Sequence, residues 1–398
     1  MTTDATDPRT TDAAPFPSNR SAPYRFSDGY AQLRDPPGPL RLGTRYDGRQ
    51  AWVVVIHEAA RKLLASRFES ADAHRTGFPF LTAGGRDMIG TNPTLFRMDD
   101  PEHARLRRMT ISHYTVKRIK TISEFVEEVV LVFLRRMTIS GPTADLVSQF
   151  LIGAGHMVIC RLLGVPYEDH AFFQERSRVL LTLRSTPEEV RAAQDELLQY
   201  LARLARTKRE RPDDAIISRL VARGEILREE DISDAMLLLI AGHATDANLT
   251  SMSLYALADR SEQYAALRAD RSLVPGAVED PLRYVAIADI ATEDVPIRGR
   301  TIAAGNTQIA MGSSANLDHE YYEDPDALTA RVEDLVHLAF GFGRHQCLGQ
   351  NLARADQLRE DLMTARNDPT LRLAVPVQSS ARLEGTTIQG VNELPVTW

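Results

Sequence analysis

Residues 340–349 read Phe-Gly-Phe-Gly-Arg-His-Gln-Cys-Leu-Gly (FGFGRHQCLG), with three glycines and a histidine crowded around Cys347 just before a helical pattern opens at Leu348. Glycine tolerates left-handed backbone and lets the chain approach a flat ligand closely. A helix N-terminus, with Arg344 and His345 beside it, stabilises a thiolate against protonation. An anionic sulfur presented this way is available as a metal ligand. Two other readings compete: an inert buried cysteine in a Gly-rich turn, and a Cys-His hydrolase, for which the papain- and caspase-type context around Cys347 is missing.

Working outward, Asp99 to Arg108 (DDPEHARLRR) puts His103 and Arg107 one helical turn apart on one face, as two cations gripping one anionic edge require. Alone, the same pattern also reads as a solvated basic helix. Asp231 to Ala258 reads as one long helix whose first half, Ala235 to Ile240, is apolar all round and therefore runs through the core. Its centre, Ala241-Gly242-His243-Ala244-Thr245-Asp246, breaks that pattern, and a threonine hydroxyl bonding back into its own helix loosens a turn. In Glu279-Asp280-Pro281-Leu282-Arg283 the proline is costly inside a helix, about 3 kcal/mol, while Asp-Pro suits an N-cap and first helical residue. The segment predicts a helix broken or restarted at Asp280. Either Asp280 or Glu279 has helical spacing to pair with Arg283.

The pattern F-G-x-G-x-H-x-C-x-G resembles the haem-binding loop of the cytochrome P-450 family, in which a cysteine thiolate is the axial ligand of haem iron. Further landmarks follow in that family's order from about Pro23 to Trp398. The resemblance implies haem b as cofactor and Cys347 as its metal ligand, with Phe340, Gly341, His345 and Gly349 completing the loop. It implies propionate contacts from His103 and Arg107, and Ala241 and Gly242 above the haem. Thr245 falls on the family's oxygen-groove threonine. The acid that usually precedes it is Ala244 here, and Asp246 follows one residue later, rotated about 100° around the helix. Thr245 and Asp246 are the catalytic candidates. At the family's Glu-x-x-Arg helix the acid is Asp280, with Arg331 corresponding to the usual third partner. No Arg occurs between Arg283 and Thr292, where a propionate-binding one is expected.

The 398 residues are 43% hydrophobic and 25% charged, the composition of a soluble globular chain. Lys+Arg 47 against Asp+Glu 54 leaves a net charge of −7, so the basic footprint of a nucleic-acid binder is absent. Two cysteines, Cys160 and Cys347, make neither a disulfide framework nor a four-cysteine zinc site, and Cys160 lies at core spacing. No apolar run approaches the roughly 18 to 20 residues that span a bilayer, so no membrane association is expected. Met1 to Asp28 lacks a signal-peptide pattern and reads as a flexible arm, 1–28, ahead of a single domain, 29–398, in a cytoplasmic protein. His57-Glu58-Ala59-Ala60-Arg61 starts like a zinc HExxH motif and ends in Arg.

Ala51 to Ile56 reads as a strand after the Asp47-Gly48 turn. Val126 to Met137, Asp145 to Leu163, Pro187 to Thr207 and Asp231 to Ala258 have helical periodicity. Val295 to Ile297, Thr301 to Ile302 and Thr307 to Met311 read as strands, Leu348 to Ala365 as helix, and Leu371 to Trp398 as hairpins. The expected fold is α+β, mostly α: a P-450 fold with a large helical body, a long central helix and a smaller β-rich region. The expected activity is insertion of an oxygen atom from dioxygen into a small secondary-metabolite substrate. Electrons would come from ferredoxin and ferredoxin reductase, docking on the Cys347 side through Arg105, Arg108, Lys117, Arg118, Arg344 and Arg354. Oxidative coupling or cyclisation, peroxide-driven oxidation, and a degenerate haem-binding protein without catalysis are the alternatives.

Overall fold

A computed structural model describes residues 14–15, 20–22, 25–26, 34, 40–44, 49–65, 69–76, 78, 94–182, 185–222, 229–258, 261–282, 289–291, 294–325, 336–355, 372–375 and 391–398. The β-branched run after Gln50 forms a strand, and β-branched residues pack well on a pleated, half-buried surface. The strands are β1 (Ala14–Pro15), β2 (Arg20–Ala22), β3 (Arg25–Phe26), β4 (Leu40–Thr44), β5 (Gln50–Val54), β6 (Glu69–Ser70), β7 (Thr143–Asp145), β8 (Asp289–Ala291), β9 (Val295–Ile297), β10 (Arg300–Ile302), β11 (Thr307–Ala310), β12 (Arg372–Leu373) and β13 (Pro395–Thr397). The principal sheet has the order β1-β4-β5-β11-β8-β6, with β11 parallel to β5 and antiparallel to β8. One core cluster lies on this sheet, around Val53, Val54, Leu63, Ile302 and Ala310.

The helices are α1 (His57–Leu64), α2 (Glu102–Ile111), α3 (Val116–Thr121), α4 (Ser123–Ile139), α5 (Ile152–Leu163), α6 (His170–Leu181), α7 (Pro187–Glu210), α8 (Ile216–Ala222), α9 (Glu229–Ala258), α10 (Ser261–Ala269), α11 (Val274–Leu282) and α12 (Gly312–Ala315). Thr186 and Glu189 close a reciprocal capping box on α7. The 30-residue α9 is the central helix, and Leu238, Ile240, Ala247, Leu254 and Tyr255 along it are buried in the larger cluster. Where α9 passes α5 the contact is close, because a Cβ on Gly242 would lie 2.7 Å from Ile159 Cδ1.

Three local expectations need correction. Asp145 to Leu163 is not one helix: β7 occupies Thr143–Asp145, a π-helical turn covers Val147–Leu151, and α5 follows. Asp145 causes the break, since its carboxylate accepts the N–H groups of Val147 at 3.3 Å, Ser148 at 3.1 Å and Leu394 at 2.7 Å. α11 runs unbroken through Asp280 to Leu282. Pro281 sits in its last turn, where it removes one backbone bond, and burial of Val274, Ala277, Val278 and Leu282 in the core outweighs that loss. Third, Leu348 and Gly349 form a turn, and helix begins at residue 350. Residues 356–365 of that expected helix lie outside the described set. In the tail, β12 pairs antiparallel with β13, which pairs with β7.

The loop bearing Cys347 rests on the end of α1. Gly343 has φ +75°, and a Cβ there would sit 2.3 Å from the backbone oxygen of Leu64. Gly343→Ala should therefore destabilise the fold by about 2–5 kcal/mol, combining left-handed strain with overpacking against rigid backbone. Urea unfolding measures it, and a cost below about 1 kcal/mol would contradict this seating.

Candidate active site

α2 starts beside the Asp99–Pro101 turn, and its periodicity turns His103 and Leu106 inward. His103 Nδ1 lies 3.1 Å from Asp100 Oδ1, and its ring packs 4.1 Å from that of His345. One turn on, Arg107 donates from Nη2 to the carbonyl of Gln346 at 2.6 Å. The helical pair read from the sequence thus meets the Cys347 loop at two points. Nε2 of His103 and Nε2 of His345 are both buried without a hydrogen-bond partner.

Burial lowers the basicity of both rings, and His345 is pushed down to about 3, with the neighbouring His103 as the next cause. Asp100 takes the Nδ1 proton of His103, so Nε2 of that ring carries a proton only when the imidazole is charged. An anion placed against the two nitrogens supplies the counter-charge that makes this favourable. Unpartnered buried polar atoms are costly, so this pair marks a place for a ligand with acceptor oxygens.

Cys347 is held at its backbone by donation of its N–H to the carbonyl of Phe340 at 2.9 Å. Burial pushes its thiol upward, while the backbone N–H groups of Gly349 and Gln350 and the cations Arg107 and Arg354 act in the opposite direction. Such donors are the means of keeping sulfur anionic in a buried place. On α9, Thr245 donates from Oγ1 to the carbonyl of Ala241 at 2.5 Å, the back-bond expected from its position. Ala241 and Gly242 are half-buried beside it. The side chains of His243, Ala244, Asp246 and Asp280, and all of Arg283 and Arg331, lie outside the described residues, and so do the pairings expected of them.

Sequence reasoning missed the strongest polar cluster. Glu279 accepts from His337 Nε2 at 2.8 Å, from Arg354 Nη2 at 3.0 Å and from Arg354 Nε. These partners hold its carboxyl at about 2 against desolvation. Arg354 lies on the helix that follows Cys347, and that helical placement was the only available signal. Arg354 is thereby committed, Arg118 pairs with Asp214 and Arg105 with Glu102, both at 2.8 Å. Of the expected docking set of six, these three are ion-paired within the chain, and Arg108 and Lys117 are exposed.

Two cautionary readings are settled by burial. Cys160 is a core residue whose thiol is pushed up to about 12. His57 is fully buried, bonds the Val336 carbonyl through Nε2 at 3.0 Å and stacks on Tyr321. Among the described residues no group of three or more His, Cys, Asp or Glu could hold a metal ion.

The family model for cytochrome P450 matches residues 168–357. Over the whole chain, a vitamin D3 dihydroxylase of Streptomyces griseolus is 55% identical, the alignment covering 100% of each protein. The chain belongs to the cytochrome P-450 family. A pentalenic acid synthase of Streptomyces avermitilis is 42% identical over 99% of this P-450 and 100% of that enzyme. The crystal structure of a mycinamicin VIII C21 methyl hydroxylase from Micromonospora griseorubida superposes with a TM-score of 0.90, at 34% identity, covering 97% and 100% of the two chains. The P-450 is accordingly a monooxygenase with haem b as cofactor. Its residues suit that group: one buried sulfur flanked by N–H donors, and two unpaired imidazole nitrogens suited to carboxylate oxygens. Among the described residues, no helix of the P-450 is long and apolar enough to cross a membrane.

Because Glu279 ionises at about 2 rather than 4.5, its contribution is present above pH 4.5 and is lost as pH falls toward 2. Above pH 5 Glu279→Gln should cost about 3 kcal/mol, converging on the parent protein as the pH drops through this window. Denaturant unfolding across pH tests this, and a difference that stays constant with pH would contradict it.

Proposed function

We propose that this P-450 hydroxylates a medium-sized, largely apolar secondary metabolite, taking electrons from a ferredoxin and its reductase in the cytoplasm. The observation carrying the residue assignments is the meeting of His103, Arg107, His345 and Cys347 in one place. In this reading Cys347 is the iron ligand: burial raises its thiol, the N–H groups of Gly349 and Gln350 oppose that rise, and bound iron would hold the sulfur in its deprotonated form. His103, Arg107 and His345 hold the haem propionates. Phe340 and Gly341 border the cofactor on the thiolate side, and Ala241 and Gly242 on the substrate side. The catalytic domain is 29–398, and β1 (Ala14–Pro15) of the preceding segment 1–28 pairs with β4 at the edge of its principal sheet.

Haem, when bound, supplies dioxygen activation and transfer of one oxygen atom. Thr245, by directing its hydroxyl to the Ala241 carbonyl, keeps its own oxygen lone pairs available to hold water or accept a hydrogen bond. Asp246 supplies protons from the next position along α9, since Ala244 cannot. The substrate class is supported by relatives named for vitamin D3, pentalenic acid and mycinamicin.

The carbon monoxide complex of the reduced protein should show a strongly red-shifted Soret band. Cys347→Ser should abolish that shift, and retention of it would remove Cys347 from the ligand position. Ala244 favours a second reading, oxidative coupling without oxygen transfer. Labelled dioxygen separates the two, because hydroxylation puts label into product and coupling does not. For the electron donor, reversing charge at Arg108 and Arg344 should raise the ferredoxin concentration needed for half-maximal turnover about tenfold. Unchanged kinetics would exclude that face.

A further inference from the structure

Glu279 joins both arms of the loop that presents Cys347. On the incoming arm the side chain of His337, 2% exposed, directs Nε2 to Glu279 at 2.8 Å. Its Nδ1 accepts the N–H of Ala339 at 3.2 Å, which places the proton of the neutral ring on Nε2 and makes it the donor. On the outgoing arm Arg354 presents Nε and Nη2 to the two oxygens of the same carboxylate, a bidentate fork. Its Nη1 reaches Gln350 Oε1 at 3.1 Å, and its guanidinium lies 4.6 Å from the centroid of the Phe340 ring. Phe340 accepts the N–H of Cys347, and Gln350 offers a backbone N–H to the sulfur. One carboxylate thus fixes a cation that touches residues on both sides of the cysteine.

Charge matters here as well as geometry. The Arg354 cation lies over Phe340, whose carbonyl holds the Cys347 N–H, and against Gln350 on the other side of the cysteine, and Glu279 places a compensating negative charge directly against that guanidinium. In a partly buried setting such charges are weakly screened. A cation left uncompensated would draw electron density from sulfur and favour the reduced metal, since groups around a ligand tune the metal it binds.

We infer that Glu279 is a positioning residue that sets the electron donation of the Cys347 thiolate through Arg354. This rests on Cys347 being the iron ligand. The test is an equilibrium redox titration of haem-loaded, substrate-free protein, with carbon monoxide spectra of the reduced forms, for the parent chain, Glu279→Gln, Arg354→Gln and the double variant. Glu279→Gln should move the potential in the positive direction and Arg354→Gln in the negative direction. The double variant should lie nearer the parent than either single one.

Unchanged potentials with an intact red-shifted band overturn the inference. A double variant disturbed at least as much as both single ones also overturns it, because that is the behaviour of a purely structural brace. Loss of haem from all three variants has the same meaning, whereas loss from the single variants with retention in the double one supports charge compensation. A parent chain without the red-shifted band is a different failure, that of the ligand assignment itself.

Discussion

Burial of the Cys347 sulfur is the constraint on which the rest of this site depends. Desolvation drives the Cys347 thiol toward protonation, and only donors fixed in advance oppose it. Two of those donors are backbone N–H groups where a turn passes into a helix, at Gly349 and Gln350, so the shape of residues 340–350 is itself the chemical device. The bond from the Cys347 N–H to the Phe340 carbonyl closes the loop on itself. A loop of this length does not hold such a shape alone, and its supports come from elements far away in sequence.

Three supports can be named. The end of α1 receives Gly343, where backbone meets backbone and no side chain can intervene. α2 brings Arg107 to the Gln346 carbonyl and lays His103 against His345. α11 contributes Glu279, which holds the loop through His337 and Arg354. The central helix α9 packs closely on α5 at Gly242, one turn before Thr245. The Nε2 atoms of His103 and His345 are both buried without a partner, and their rings lie 4.1 Å apart beside the Cys347 loop.

Much of this was legible in the residues because the chemistry demands local patterns. A cysteine ligand needs glycines and a helix start within ten positions, and two cations gripping one edge need spacing of one turn. Thr245 bonds back to Ala241 because both lie on one helix, a relation that follows from periodicity. The misreadings share another cause. Pro281 and Asp145 carry strong local preferences, and in each case distant groups decided the outcome: core burial for α11, and the Leu394 N–H with β7–β13 pairing for the break before α5. Arg354 looked like a solvated cation on a helix, yet a carboxylate 75 residues earlier captures it.

The sequence by itself determined which residues are the site's candidates, the Cys347 sulfur, the His103 and His345 imidazoles, the Arg107 guanidinium and the Thr245 turn, through a pattern that resembles the P-450 family's. Those are set by residue type at short spacing, where covalent geometry leaves few alternatives. Only the tertiary structure decided how that chemistry is held. Glu279 takes His337 and Arg354 as partners, and Gly343 is seated against Leu64, because long-range packing, not local preference, determines which surfaces meet once the core is buried.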